Sequence, residues 1–198
     1  MSAGGTKALE SFTGAKRFGP SALATPANGL SVLRIVAAPV LGVLVARTGP
    51  DSWLLWALWT VLSISDKLDG FLARRHGVTR SGAFLDPLAD KLIVLAALAA
   101  LVEIGTFSWV PAAVIAAREL AMSAFRTYAA RRGVSIPARP RAKIKTLVQD
   151  LAIGFAFFPP VGGPDPEVGR VLLWVAVVLT LYTGLEYALD ARRTLRGV

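Results

Sequence analysis

Four aspartates, two of the glycines and one arginine lie at helical spacings within one short stretch of an otherwise apolar chain. The stretch runs from Asp66 to Asp90 and reads D-K-L-D-G-F-L-A-R, then seven residues, then G-A-F-L-D-P-L-A-D. Ionised side chains at membrane depth are costly, so a group of them indicates a functional site. Carboxylates supply hard oxygen ligands, which suit Mg²⁺ or Mn²⁺ better than Zn²⁺.

Helical spacing places these residues on two faces. One face carries Asp66, Asp69, Gly70 and Ala73, and the other carries Gly82, Asp86 and Asp90. The loop between them is short, so the two helix ends are expected to be antiparallel neighbours whose acidic faces meet. Two divalent cations could then balance the four carboxylates and hold both sides of a phosphoryl displacement. Arg74 would supply charge to a bound pyrophosphate, and the small residues would let a ligand approach the backbone.

The composition is that of a membrane protein. The chain has 198 residues, 54% of them hydrophobic, with no cysteine and a formal charge of +9; its mean hydropathy is +0.56. In such a chain, anionic lipids and phosphorylated substrates are simpler partners than nucleic acid. The elements that must position the aspartates are six apolar stretches of membrane-spanning length, near 29–46, 52–73, 82–104, 109–130, 144–160 and 168–189.

The basic residues fall almost entirely on one side of these six stretches. The positive-inside rule therefore places both termini in the cytoplasm, in a multi-pass protein of the inner membrane. It also places the 66–90 stretch at the cytoplasmic ends of the second and third helices. Residues 25–198 form the transmembrane domain in this interpretation. Residues 1–24 form a cytoplasmic segment, either with a short amphipathic helix over 6–19 or as a partly disordered tail.

The stretch resembles the signature of the CDP-alcohol phosphotransferase family, D-x2-D-G-x2-A-R, a spacer, then G-x3-D-x3-D. Every defined position matches, and the spacer of seven is the less usual length. The resemblance implies an all-α fold of six transmembrane helices around a polar cavity open to the cytoplasm, and a homodimer. It also implies a CDP-linked lipid bound against the glycine-bearing helix ends, metals on the four aspartates, and Asp90 as the general base for an acceptor hydroxyl.

Other segments are similar to the members of that family that use glycerol 3-phosphate, the phosphatidylglycerophosphate synthases. These segments are the opening 26–35, the Arg118-Glu119 pair with a downstream arginine, and 142–149, where Ala142 replaces the usual glycine. Arginine suits phosphate through paired hydrogen bonds. The candidates for binding the acceptor's phosphate are Arg118, Arg126, Arg141, Lys143 and Lys145. Asn28 and Arg34 are candidates for the nucleotide pocket or for a polar contact between helices.

Three alternatives stay open at this point. The same chemistry could use another acceptor, as in a cardiolipin synthase with phosphatidylglycerol or a phosphatidylinositol phosphate synthase. The basic residues could serve only to orient the chain in the membrane. A small cation-coupled transporter or a non-catalytic scaffold belongs to another class of function, and metal-dependent release of CMP separates the enzyme from both.

Overall fold

A computed structural model describes residues 26–76, 82–131 and 140–196, and side chains within 29–65, 88–125, 127–128 and 143–187. These residues form six α-helices: α1 Pro26–Thr48, α2 Trp53–His76, α3 Gly82–Glu103, α4 Trp109–Arg131, α5 Pro140–Phe157 and α6 Glu167–Arg196. The segment 1–24, for which an amphipathic helix was one interpretation, lies outside the described residues. Each helix coincides with one of the six stretches that the sequence predicts.

The helix ends follow from local chemistry. Gly49 adopts a φ of 77° after α1 and Gly105 a φ of 79° after α3, the left-handed conformation that glycine takes without strain. The Gly49 amide donates to the Val45 carbonyl at 3.1 Å, which satisfies one free carbonyl of α1. The predicted end of the fifth segment at residue 160 is wrong: α5 ends at Phe157, because a residue before Pro159 is disfavoured in the helical conformation.

The helices pack as a closed ring. Going round it, α1 contacts α2, α2 contacts α5, α5 contacts α6, α6 contacts α4, α4 contacts α3, and α3 contacts α1. Helices α3 and α5 also touch across the ring. The pairs α1–α3 and α5–α6 are the most extensive contacts. One continuous apolar core joins them and includes Leu41, Leu55, Leu98, Ile115 and Ile153, all fully buried.

The outer surface of this ring is apolar as well. Along α6 the exposed side chains include Val171, Trp174, Val178, Leu181 and Leu185. Soluble monomers rarely expose apolar patches of this extent, so the surface suits contact with lipid. In the described part of the chain, Gly29–Thr48 and Glu167–Tyr187 are each long and apolar enough to cross a bilayer. That all six helices span the membrane, and that their polar cavity opens to the cytoplasm, stay predictions.

Gly169 shows how closely α6 approaches α5. A Cβ built at Gly169 would lie 3.0 Å from the carbonyl oxygen of Ala152 and 3.4 Å from the Phe107 ring. A backbone carbonyl within a helix has little room to move, so any side chain here would push the two helices apart. A Cβ built at Gly42, within α1, would have no neighbouring atom within 4 Å.

We therefore expect Gly169→Ala to lower the free energy of unfolding by about 1–3 kcal/mol through overpacking. Gly42→Ala, the matched control, should raise it by roughly 0.5–1 kcal/mol, because alanine is the better helix former. Thermal unfolding of the purified protein in one detergent would measure both changes. Equal unfolding midpoints for the two variants would contradict the close α5–α6 packing.

Candidate functional site

A buried ionic cluster joins α4 and α5. Lys145 of α5 donates a hydrogen bond to the Oε1 carboxylate oxygen of Glu119 on α4, and the two form an ion pair. The neighbouring Arg118 donates from Nη1 to the same Glu119 oxygen at 3.1 Å. The Lys145 side chain is only 3% exposed, and those of Arg118 and Glu119 are 13% exposed. One carboxylate therefore balances two largely buried cations, and the trio keeps a single net positive charge.

Helix α6 completes the cluster through a threonine. Arg118 Nη2 donates to the Thr183 hydroxyl oxygen at 3.2 Å, across 65 residues of sequence. Thr183 in turn donates its hydroxyl proton to the Leu179 carbonyl within α6, at 2.8 Å. The guanidinium of Arg118 is thus held by a carboxylate from its own helix and a hydroxyl from the next.

A further cation approaches the cluster from α3. Lys91 donates a hydrogen bond to the Ser123 hydroxyl, and Ser123 donates to the backbone carbonyl of Glu119 at 2.8 Å. Lys91 is close enough for its positive charge to act on the Glu119 carboxylate. The structure therefore places the charged end of Lys91 against α4. The cluster thus ties together α3, α4, α5 and α6.

Two buried N–H donors beside this cluster are not used by the described residues. Gln149 lies four residues after Lys145, on the same face of α5, and is 2% exposed. Its Nε2 atom and the Nε atom of Arg118 are buried without a hydrogen-bond partner in the part of the chain that the structure describes. Buried donors normally have a partner, so such atoms are suited to receive a polar ligand.

The structure brings together two of the five predicted acceptor residues. Arg118 and Lys145 meet at Glu119, while Lys143 is exposed on another face of α5. The backbones of Arg126 and Arg141 lie in α4 and α5, but their side chains are outside the described residues.

The signature residues lie on helices, as their spacing predicts. Helix α2 ends at His76 and α3 begins at Gly82, so residues 77–81 connect the two halves of the stretch. Asp90 is half-buried. The remaining side chains of the set lie outside the described ones: Asn28, Asp66, Asp69, Gly70, Ala73, Arg74, Gly82 and Asp86. In the described part of the chain, acidic and histidine side chains form no metal-binding group, and the meeting of the two acidic faces stays a prediction.

Sequence reasoning missed Glu119, Ser123 and Thr183 as members of a site. Glu119 carried one signal, a carboxylate next to Arg118 inside an apolar helix, which calls for a partner at membrane depth. Thr183 carried none, because a threonine in a membrane helix commonly bonds only to its own backbone. Its contact with Arg118 depends on which helices are neighbours in the ring.

An apolar groove runs between α2 and α5. Its volume is about 350 Å³. One wall is a face of α2 from Trp56 to Ile64, and the other is a face of α5 from Leu147 to Phe155, continued by Phe158 just after the helix. The Trp59 indole N–H donates to the Asp150 carbonyl at 3.0 Å and ties the walls together. A Cβ at Gly154 would lie 3.4 Å from the Trp59 ring, so glycine leaves room for this indole. The groove reaches Ile64, two residues before Asp66.

A family profile and curated relatives both identify the family that the sequence signature resembles. The sequence profile of the CDP-alcohol phosphatidyltransferases matches residues 24–182. A probable phosphatidylglycerophosphate synthase of Mycobacterium tuberculosis is 39% identical over 91% of this chain and 88% of its own. A CDP-diacylglycerol–glycerol-3-phosphate 3-phosphatidyltransferase of Rickettsia bellii is 36% identical over 81% and 91%. A protein of the same name from Shigella flexneri is 39% identical over 74% and 84%.

The cluster predicts an order of stability among charge-neutralising variants. Glu119→Gln leaves Arg118 and Lys145 without their carboxylate and should cost about 3–5 kcal/mol of unfolding free energy. Lys145→Met should cost clearly less, because Arg118 still pairs with Glu119. Lys143→Met, the exposed control two residues away, should leave stability within about 0.5 kcal/mol. Unfolding midpoints in detergent would show the order, and a Lys145→Met protein less stable than Glu119→Gln would contradict it.

Proposed function

This chain belongs to the CDP-alcohol phosphatidyltransferase family, and from that premise we propose its reaction. The enzyme transfers the phosphatidyl group of CDP-diacylglycerol to glycerol 3-phosphate and yields phosphatidylglycerophosphate and CMP. The observation that carries this proposal is the buried cluster in which Arg118 and Lys145 share one carboxylate among the described residues, that of Glu119. The names of the relatives, which cover most of both chains, support the same acceptor.

The cluster favours an acceptor that carries a phosphate monoester. A neutral or zwitterionic alcohol would leave the surplus positive charge in a largely buried region, where an unbalanced charge is costly. A phosphate would balance it and would accept hydrogen bonds from the buried Arg118 Nε and Gln149 Nε2 groups. Phosphatidylglycerol has no free phosphomonoester, so this chemistry argues against a cardiolipin synthase.

The groove between α2 and α5 suits a lipid-linked donor. Its walls are mainly aromatic and aliphatic, and it reaches the helix segment just before Asp66. An acyl chain lying there would keep its methylenes out of water, while the linked pyrophosphate would sit near the signature residues. Gly70, Ala73, Arg74 and Gly82 would then contact the nucleotide end of the donor, together with Asn28 and Asp69.

The chemistry of the donor set fits a divalent metal. Asp66, Asp69, Asp86 and Asp90 offer only carboxylate oxygens, which suit Mg²⁺ or Mn²⁺. These four residues would hold the metal, two ions per site in this proposal. When bound, such ions neutralise the pyrophosphate and stabilise the charge that develops during transfer.

In the transfer itself, an acceptor hydroxyl oxygen forms a bond to the phosphorus that carries the lipid. The bond from that phosphorus to the CMP oxygen breaks, and CMP leaves with the electron pair. Asp90 takes the proton of the attacking hydroxyl as general base. Asp90 is half-buried on α3, the helix that also contributes Lys91 to the cluster.

The proposal includes an arrangement in the membrane. Lys and Arg concentrate at the end of the helix ring that carries the signature, which supports a cytoplasmic active site and cytoplasmic termini. The turns at the opposite end of the ring contain Gly49, Gly105 and Gly163, whose backbones have positive φ angles. The exposed apolar helix faces would contact lipid and, in a homodimer, a second copy of the chain.

Release of CMP by the purified protein in detergent tests the proposal. The assay would contain CDP-diacylglycerol and Mg²⁺, with glycerol 3-phosphate, inositol phosphate, phosphatidylglycerol or serine supplied one at a time. We expect release with glycerol 3-phosphate alone. Release with phosphatidylglycerol or serine would keep the aspartate chemistry and discard the interpretation of the cluster. Release with inositol phosphate would keep both and replace glycerol 3-phosphate as the acceptor. No release from folded protein would reopen the transporter and scaffold alternatives.

The Asp90→Asn variant should lose turnover by a factor of about 10²–10⁴, the usual contribution of a general base. It should still bind CDP-diacylglycerol, because the other three aspartates and the nucleotide residues remain. CMP release and binding of the labelled donor would be measured on the same preparation. Asp51→Asn is the matched control, since Asp51 is exposed beside the turn after α1. Full activity in Asp90→Asn would exclude its role as the base.

A further inference from the structure

A hydrogen bond to α6 contributes to the position of the Arg118 guanidinium. Its Nη1 group donates to Glu119 at 3.1 Å and its Nη2 group to Thr183 at 3.2 Å. Two of the three guanidinium nitrogens are therefore fixed by protein groups. The third, Nε, is buried and lacks a hydrogen-bond partner among the described residues.

Thr183 is suited to hold this guanidinium. It is 2% exposed, so water does not compete for its hydroxyl. Its hydroxyl proton is directed into α6, to the Leu179 carbonyl at 2.8 Å. The oxygen lone pairs therefore remain for Arg118, and the helix backbone fixes the direction in which they point.

We propose that Thr183 is a positioning residue for the acceptor. Its contact from α6 fixes the Arg118 guanidinium, so that the acceptor's phosphate meets a guanidinium that is already oriented. The proposal rests on the function proposed above, in which Arg118 binds that phosphate. Thr183 does not itself contact substrate, and its effect is confined to the acceptor side of the reaction. Without it, the Arg118 side chain would have to be ordered when the acceptor binds, which weakens binding.

Thr180 offers a matched control on the same helix. It lies three residues before Thr183 and is fully buried, and its hydroxyl oxygen has no hydrogen-bond partner among the described residues. Thr180→Val and Thr183→Val change the same atoms in similar surroundings. Only the second change removes an acceptor from Arg118.

The test measures kcat and the KM of each substrate, through CMP release, for the wild-type protein and these variants. We expect Thr183→Val to raise the KM for glycerol 3-phosphate about tenfold, the size expected for a hydrogen bond to a charged group. The KM for CDP-diacylglycerol should stay within about twofold, since only the acceptor side is affected. Thr183→Ser should restore the acceptor KM, and Thr180→Val should match the wild type. If Thr183→Val does not fold, Thr183→Ala carries the same test.

Other outcomes would overturn the proposal. An acceptor KM in Thr183→Val equal to that of Thr180→Val would exclude the positioning role, as would an equal rise in both substrates' KM values. In an Arg118→Ala background, Thr183→Val should add nothing further, because its effect passes through Arg118; a full additional effect would contradict this. Absence of CMP release from wild-type protein with glycerol 3-phosphate would instead overturn the proposed function, and this role with it.

Discussion

The constraint on which this structure depends is the cost of placing charge among apolar helices. Lys145 and Arg118 lie where water has little access, and both donate to one carboxylate, that of Glu119. Truncating that carboxylate would leave two cations to be desolvated without a partner. The cluster also sets the neighbours of α4, since Lys145 comes from α5, Thr183 from α6 and Lys91 from α3. Polar contacts of this kind have few alternative arrangements, whereas apolar faces tolerate many.

The ring of helices separates two kinds of surface. Helices α3, α4, α5 and α6 surround the charged cluster, while α2 and α5 form the apolar groove. Helix α5 contributes to both: Lys145 belongs to the cluster, and Leu151 and Phe155 line the groove. A polar acceptor and a lipid-linked donor could therefore reach the signature residues from different sides of one helix.

Much of this fold was predictable from the sequence, because the helix positions depend on local properties. Apolar length placed all six helices, most ends within a few residues, although α6 continues to Arg196, seven residues past the predicted end. The signature also identified the family, since its residues are close in the chain. Arg118 and Lys145 were predicted as phosphate-binding residues, but their joint pairing with Glu119 was not. That pairing, like the contact between Arg118 and Thr183, joins separate helices, and nothing in the local sequence specifies which helices become neighbours.

The balance of charge bears on the choice of acceptor more directly than the identity of any one residue. A cluster meant only for stability would match its cations with carboxylates, since each unmatched charge weakens the fold. Here two cations share one carboxylate, a third lies nearby, and buried N–H groups of Arg118 and Gln149 lack hydrogen-bond partners among the described residues. Surplus positive charge and unused donors would both be satisfied by a phosphate monoester. Phosphatidylglycerol offers only a singly charged phosphodiester and serine is a zwitterion, whereas a phosphate monoester carries about two negative charges and three acceptor oxygens. The arrangement therefore favours a phosphomonoester acceptor such as glycerol 3-phosphate.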